Sequence, residues 1–477
     1  MNSMNAILDS IRPNRSALFS FFSMMPKGGD LHHHYSGSIY AESYIEYVIQ
    51  KDFFINTLTY EIIKDLTSIP LPVPVEWVKF STIPNRDEIK LKLLRKWSVK
   101  DFVKGARSSD EQFFSTFVGF SIASKENFIA GLTELKKRAL NQKLNYIETI
   151  FISTNVKSIN VPEEIELDKA FLEIQKQRDE DKLNQILEKL YADYKAVIEG
   201  VAKKHNDLVN DYHKASNLED ADFHIRYQNY IARFRQPTDV FIELFACFES
   251  SSTNELIVGV NIVAAENGET AMRDYWLHIM FYKFLEQKYK TVKYAVHAGE
   301  LVSGMVQPEF LGTHIKQSLI LQNLTRIGHA VDIIYDNDFI TTIENLKHRQ
   351  IAIEINLSSN EFILGVANDL HPIELYYRNG IPIVICTDDE GVLRTSITEQ
   401  YVLLAHRYKL SYDEIKDVVR NSINYSNIKD DTLKQSILKN LNDGFNDFET
   451  KITNFYQPLV FENTNINNLK FMSLTSN

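Results

Sequence analysis

The sequence predicts an α/β fold, a (β/α)8 TIM barrel with helical insertions after the first and second strands. Two observations carry this. From residue 223 onward, short apolar runs alternate with helical stretches, which is the pattern of a parallel sheet. With two earlier runs the count reaches eight, the number that closes such a sheet into a barrel. The 477 residues suffice for one large barrel with insertions, and the domain expectation is a single unit over 1–477.

The first strand is expected at Asp30–His34, behind Pro26-Lys27-Gly28-Gly29. Side chains alternate along a strand, so His32 and His34 face one side and His33 the other. Two imidazoles on one face make half of a metal site; taken alone, the cluster favours the reading of a polar surface strand. The apolar Ala17–Met25 precedes it without a small-residue cleavage site, and reads as a helix plugging one end of the fold rather than a signal peptide. Residues 41–110 form a mixed, mostly helical insertion, split by Ile69-Pro70-Leu71-Pro72-Val73-Pro74. Phe113, Phe114 and Phe117 open an aromatic helix, and Asn145–Phe151 is the second strand.

Residues 157–222 are a second, charged helical insertion. Within it Leu183, Ile186, Leu187, Leu190, Tyr191, Tyr194, Val197, Ile198 and Val201 recur at three- and four-residue spacing. That stripe fits a helix packed on the barrel exterior and equally an arm making a homo-oligomer. The remaining strands are expected at Phe223–Tyr227, Leu256–Ala264, Lys293–His297, Arg326–His329, Ile351–Asn356 and Ile381–Thr387; Pro382 is tolerated at the start of the last. Ser411-Tyr412-Asp413-Glu414 reads as a capping box opening a helix beyond the barrel, and the Asn-rich 455–477 as a loose tail.

The net charge of −11, from 52 Lys and Arg against 63 Asp and Glu, argues against phosphate-led nucleic-acid binding. No run is long enough for a membrane span. Cys247 and Cys386 are isolated in apolar runs, so neither a disulfide framework nor a Cys-x-x-Cys zinc motif is expected. Acidity and few cysteines fit a cytoplasmic protein and do not exclude export.

In a barrel of this kind the chemistry sits at the C-terminal strand ends. Polar residues collect there: His32 and His34 after the first strand, His297-Ala298-Gly299-Glu300 after the fifth, Arg326-Ile327-Gly328-His329 after the sixth, Thr387-Asp388-Asp389 after the eighth. One strand-end His or Asp is ordinarily a turn or capping residue. Four ends together supplying four His, a Glu and two Asp are hard to attribute to chance.

In this order, Pro-Lys-x-x-Asp-Leu-His-x-His, His-Ala-Gly-Glu, Arg-Ile-Gly-His and Thr-Asp-Asp resemble the adenosine deaminase family. The opening motif is similar to the family's larger, insertion-bearing branch related to the adenosine deaminase-related growth factors. The resemblance runs from about Pro26 to about Ser426, interrupted by the two insertions. It implies one zinc ion per chain held by His32, His34, His297 and Asp388. It implies Glu300 as the proton donor to the purine ring, His329 beside the reacting water and Asp389 on purine N7. The activity it implies is hydrolytic deamination of adenosine, or a closely related 6-aminopurine nucleoside, to the 6-oxo product and ammonia.

The chemistry of these residue types agrees. Zinc lowers the pKa of a water it holds to about 7. Asp388 and His329 can orient that water and take its proton, while Glu300, kept protonated in a dry pocket, supplies one to N1. Binuclear hydrolases on this barrel usually carry a modified lysine on the fourth strand; here that strand reads Gly259–Ala264 without one.

The chain also departs from the family. Ser36 stands where the adenosine-specific enzymes carry an aspartate for the ribose 5′-hydroxyl, and Ala264 where a glycine amide contacts purine N3. Asn356-Leu357, followed by Ser358-Ser359-Asn360, replaces the usual Cys-Pro after the seventh strand. A deaminase of a 5′-modified or N6-substituted adenine nucleoside or nucleotide is therefore the alternative. A non-catalytic binding protein on the same fold is a further one, opposed by the intact set of chemical residues.

Overall fold

A computed structural model describes residues 3–472, with side chains through Tyr456. Eight parallel strands form its centre: Gly29–His34, Tyr146–Ile150, His224–Ala232, Ile257–Val263, Tyr294–Ala298, Leu324–His329, Ala352–Ile355 and Ile383–Ile385. They fall on the segments read as strands, the third running on to Ala232 beyond the expected Tyr227. The fourth, fifth and eighth are buried along almost their whole length and read as apolar runs, whereas the first and third carry polar residues among the apolar ones.

The strands hydrogen-bond as two four-stranded ladders, first to fourth and fifth to eighth, each in chain order. The fourth and fifth lie side by side. Arg233, fully buried, ties this seam by donating from Nη2 to the carbonyls of Ile262 (3.2 Å) and His297 (3.1 Å). At the other seam the Asp388 N–H donates to the His32 carbonyl (2.9 Å) and the His34 N–H to the Asp388 carbonyl (3.0 Å). That seam holds the two metal-type histidines and the aspartate in one backbone pairing.

The insertion at 41–110 is mixed, as expected, and its non-helical part includes a small sheet. Beside the helices Ala41–Gln50 and Arg86–Lys96 it contains a three-stranded antiparallel sheet, Phe54–Asn56, Ile62–Ile63 and Trp77–Lys79. The cause is local: the Asn56 side chain accepts the N–H groups of Leu58 and Thr59, forming a turn that folds the chain back. Strands of two and three residues are too short to leave a periodic signature.

In the insertion at 157–222 the helices are Glu164–Gln177 and Glu180–Ala215, the latter started by the Asp179 side chain on the Lys182 N–H. Leu183, Leu187, Leu190, Ile198 and Val209 are buried, and the helix lies along Pro237–Thr253, with Tyr191 stacked on Phe245 at 4.8 Å. The apolar stripe is used within the chain, as the exterior-packing reading requires.

Ala17–Met25 falls largely in the helix Arg15–Met24, which packs on Ile397–Tyr408. The capping box forms as read, with Ser411 Oγ accepting from Glu414 N–H and the Glu414 carboxylate accepting from Ser411 N–H. The final helix spans Asp431–Met472, carrying Ile437, Leu441, Phe445, Phe448 and Ile452 against the core. The stretch expected as a loose tail from 455 is thus helical as far as Met472, continuing that amphipathic helix; 473–477 lie outside the described residues.

Candidate active site

The strand ends bring six of the sequence-selected side chains into one cluster. His34 Nε2 lies 3.2 Å from His297 Nε2, and Asp388 Oδ1 is 3.3 Å from His34 Nε2 and 3.4 Å from His32 Nε2. The His32 and His297 rings are 4.4 Å apart. His329 sits over this group, its Nε2 3.9 Å from Asp388 Oδ2 and its Nδ1 3.6 Å from Glu300 Oε1. Asp389 follows Asp388 directly and is buried with it. Ser36, half-buried, lies in the helical turn Tyr35–Ser38 just past His34, and Ala264 lies just beyond the fourth strand. His33 turns away and meets Thr149 Oγ1 at 2.9 Å. It is fully buried, so the first strand is interior rather than a surface strand.

The backbone is bent to make this possible. Ala264, His329 and Asp388 adopt φ of 78°, 66° and 62°, in the left-handed region. Such residues cost about 1–3 kcal/mol each and persist where surrounding structure over-determines them. Two glycines give room for close approach. A Cβ on Gly328 would meet His32 Cε1 at 2.6 Å, and one on Gly37 would fall 1.6 Å from Asp389 Oδ1.

The imidazoles are aimed from behind. His32 Nδ1 donates to Glu354 (2.7 Å), whose other oxygen takes Arg326 Nε (2.6 Å); Arg326 also pairs with Glu148. His297 Nδ1 donates to Asn261 Oδ1 (2.8 Å), and Asn261 Nδ2 donates to Gln228 (3.0 Å). With Nδ1 committed, the Nε2 lone pairs of His32 and His297 converge on the space shared with His34 and Asp388. His32 Nε2 is buried and has no hydrogen-bond partner among the described residues. Tetrahedral ligands about 2.1 Å from a metal lie roughly 3.4 Å apart. The spacings of 3.2, 3.3 and 3.4 Å match that geometry, so these donors fit a divalent metal ion.

The electrostatics divide the carboxyls into two kinds. Burial opposes ionisation of Asp388, but the surrounding imidazoles of His32, His329 and His34 outweigh it and hold its pKa well below the usual range. Glu300 is driven well above its range, first by burial and then by the charges of Asp388 and Glu266. Asp389 moves the same way, through burial and then Asp388. The three carboxyls are thus pushed apart, Asp388 toward the ionised form and Glu300 and Asp389 toward the acid form, the kind of separation that acid–base work at neutral pH requires.

Several positioning groups were not singled out in the sequence. Glu266 accepts the N–H groups of Gly299 (3.0 Å) and Glu300 (2.7 Å) and pairs with His314 Nδ1 (2.5 Å), fixing the turn that carries Glu300. Asp30 accepts from Thr387 Oγ1 (2.5 Å) and steadies the turn before Asp388. Glu148 and Glu354 were legible as charges inside otherwise apolar strands, which are almost never buried unpaired.

Comparison with known proteins gives the same grouping. The adenosine deaminase family model matches residues 195–443. An adenosine deaminase from Shewanella halifaxensis is 28% identical over 148 residues, 31% of this chain and 44% of the relative. An N6-methyl-AMP deaminase from Bos taurus is 30% identical over 152 residues, 31% of this chain and 40% of the relative. The chain thus spans less than half the length of these curated relatives. The N6-methyl-AMP deaminase structure from Arabidopsis thaliana superposes with a TM-score of 0.56 at 17% identity, covering 89% of this chain and 98% of that one, a likeness of fold. The family match covers more than half of the chain and includes the strand ends bearing His297, Glu300, His329 and Asp388; with the first-strand histidines completing their cluster, this chain belongs to the adenosine deaminase family.

Proposed function

We propose that this chain hydrolytically deaminates a 6-aminopurine nucleoside or nucleotide, with His32, His34, His297 and Asp388 holding one zinc ion. The observation that carries the reading is the pairing of an acid, Glu300, with an ionised carboxylate, Asp388, on either side of His329 at 3.6 and 3.9 Å. The metal's contribution, when bound, is to lower the pKa of a water it holds to about 7.

The chain's own groups account for the rest. Asp388 accepts the proton of the water attacking C6. Glu300 gives its proton to N1, so charge arriving on the ring is neutralised as the C6–O bond forms. Asp389, as the acid, donates to purine N7, which can only accept. The proton held by Asp388 passes to the exocyclic nitrogen and the C6–N bond breaks to release the amine; the C6 hydroxyl proton returns to Glu300, leaving the 6-oxo purine protonated at N1.

A second reading concerns the 5′ side. Ser36 carries no charge to repel a 5′-phosphate, and the relatives include enzymes named for N6-methyl-AMP as well as for adenosine. The zinc-loaded chain should be given adenosine, AMP, N6-methyl-AMP and 5′-deoxyadenosine, and the ultraviolet change from 6-amino to 6-oxo purine followed. Conversion of none of these would remove the proposal; preference for the nucleotides would select the second reading. Ser36→Asp should raise kcat/KM for adenosine over 5′-deoxyadenosine about fivefold, roughly 1 kcal/mol, by offering a charged acceptor to the 5′-hydroxyl. An unchanged ratio would place 5′ recognition elsewhere.

A further inference from the structure

We infer that Asn360 and His371 are positioning residues that fix the tautomer of His329, keeping its proton on Nε2, so that His329 donates to the reacting oxygen and is neither the base nor a metal ligand. The inference rests on the deaminase reading only for the identity of that oxygen; the tautomer follows from hydrogen-bond directions.

The chain of directions starts at a group with one choice. The backbone N–H of Ile373 can only donate, and it points at His371 Nδ1 at 3.1 Å. Nδ1 of His371 is therefore a lone pair, and the ring proton is on Nε2. That Nε2–H lies 3.0 Å from Asn360 Oδ1, which fixes the amide with its oxygen toward His371. The Asn360 amide nitrogen then faces His329 Nδ1 at 2.9 Å, and an amide nitrogen donates. The Asn356 amide lies 3.4 Å from the same ring nitrogen and, with nothing else fixing its orientation, can turn its nitrogen to it. His329 Nδ1 is an acceptor, and the ring's proton must be on Nε2. All three side chains are buried, so water does not compete for these bonds.

The consequence is chemical. Among the described residues His329 Nε2 makes no hydrogen bond, and it faces Asp388 Oδ2 from 3.9 Å. A protonated nitrogen has no lone pair for a metal, which separates this fourth histidine from His32, His34 and His297 although its donor atoms lie within 4.8 Å of His32 and His297. Nor can it take the proton of the attacking water, so that proton goes to Asp388. What Nε2–H can do is hydrogen-bond the oxygen as charge develops on it.

The test is long-range proton–nitrogen correlation NMR of the zinc-loaded full chain labelled with 15N-histidine, with His329 assigned by its loss in His329→Gln. The expected pattern for His329 is an unprotonated Nδ1 and a protonated Nε2; the opposite pattern overturns the inference without any reference to activity. In Asn360→Asp the new carboxylate accepts from Nδ1–H and should reverse the tautomer. Its expected effect is a fall in kcat of about 10²-fold or more at little-changed KM. Wild-type turnover with a reversed tautomer would also overturn the role. Should the wild-type chain deaminate nothing, the functional reading fails while the spectrum still decides the tautomer.

Discussion

Glu300 is the residue on which acid catalysis turns. Burial and two neighbouring negative charges push its carboxyl toward the acid form, and Glu266 grips the backbone that carries it. Glu300→Gln keeps the shape and removes the proton. Turnover should fall by about 10²-fold or more with metal content and fold retained, since general-acid donation contributes roughly 10²–10⁴-fold. A near-native rate would show that another group protonates the ring. The sign of the pH response follows: the acid form is the active one, so the rate declines as pH rises through the elevated pKa of Glu300.

At the scale of elements, the first strand sorts its histidines by alternation. His34→Ala should lose the metal, whereas His33→Ala, whose side chain contacts Thr149 instead, should retain it at some cost in stability. Elemental analysis of each unchelated variant reads this, and equal metal loss in both would contradict it. The sixth and seventh strands carry Arg326 and Glu354 into the barrel interior behind His32. Glu354→Gln should weaken metal binding about 10- to 100-fold in chelator competition, the usual effect of removing a group that orients a ligand. An unchanged affinity would mean that His32 needs no such support.

These strands also show what a sequence discloses. Most were legible because burial leaves apolar runs, the first because of its histidines, and the cluster because strand ends concentrate His, Glu and Asp. Glu266, Asn360 and His371 were not, because their partners lie 34, 31 and 11 residues away and pairing across loops leaves no local period. The small sheet at 54–79 escaped for the opposite reason, its strands being too short to repeat.

Over the whole molecule, the site's buried acids bear on stability. Asp332 accepts the Gly312 N–H at 2.8 Å, and burial, aided by the charge of Glu266, raises its pKa from 3.8 to about 8. A folded-state pKa above the unfolded one gives stability that is full below about pH 4 and declines as pH rises toward 8. Asp332→Asn should therefore gain on the wild type in denaturant midpoint between pH 5 and pH 8; an equal difference at both would show that Asp332 does not titrate in that window. The most direct test of the account as a whole is conversion of 6-amino to 6-oxo purine by the zinc-loaded full chain, run beside Glu300→Gln at equal metal content. The account predicts turnover by the wild type and loss of at least about 10²-fold in the variant; equal rates in the two, or none in the wild type, would contradict it.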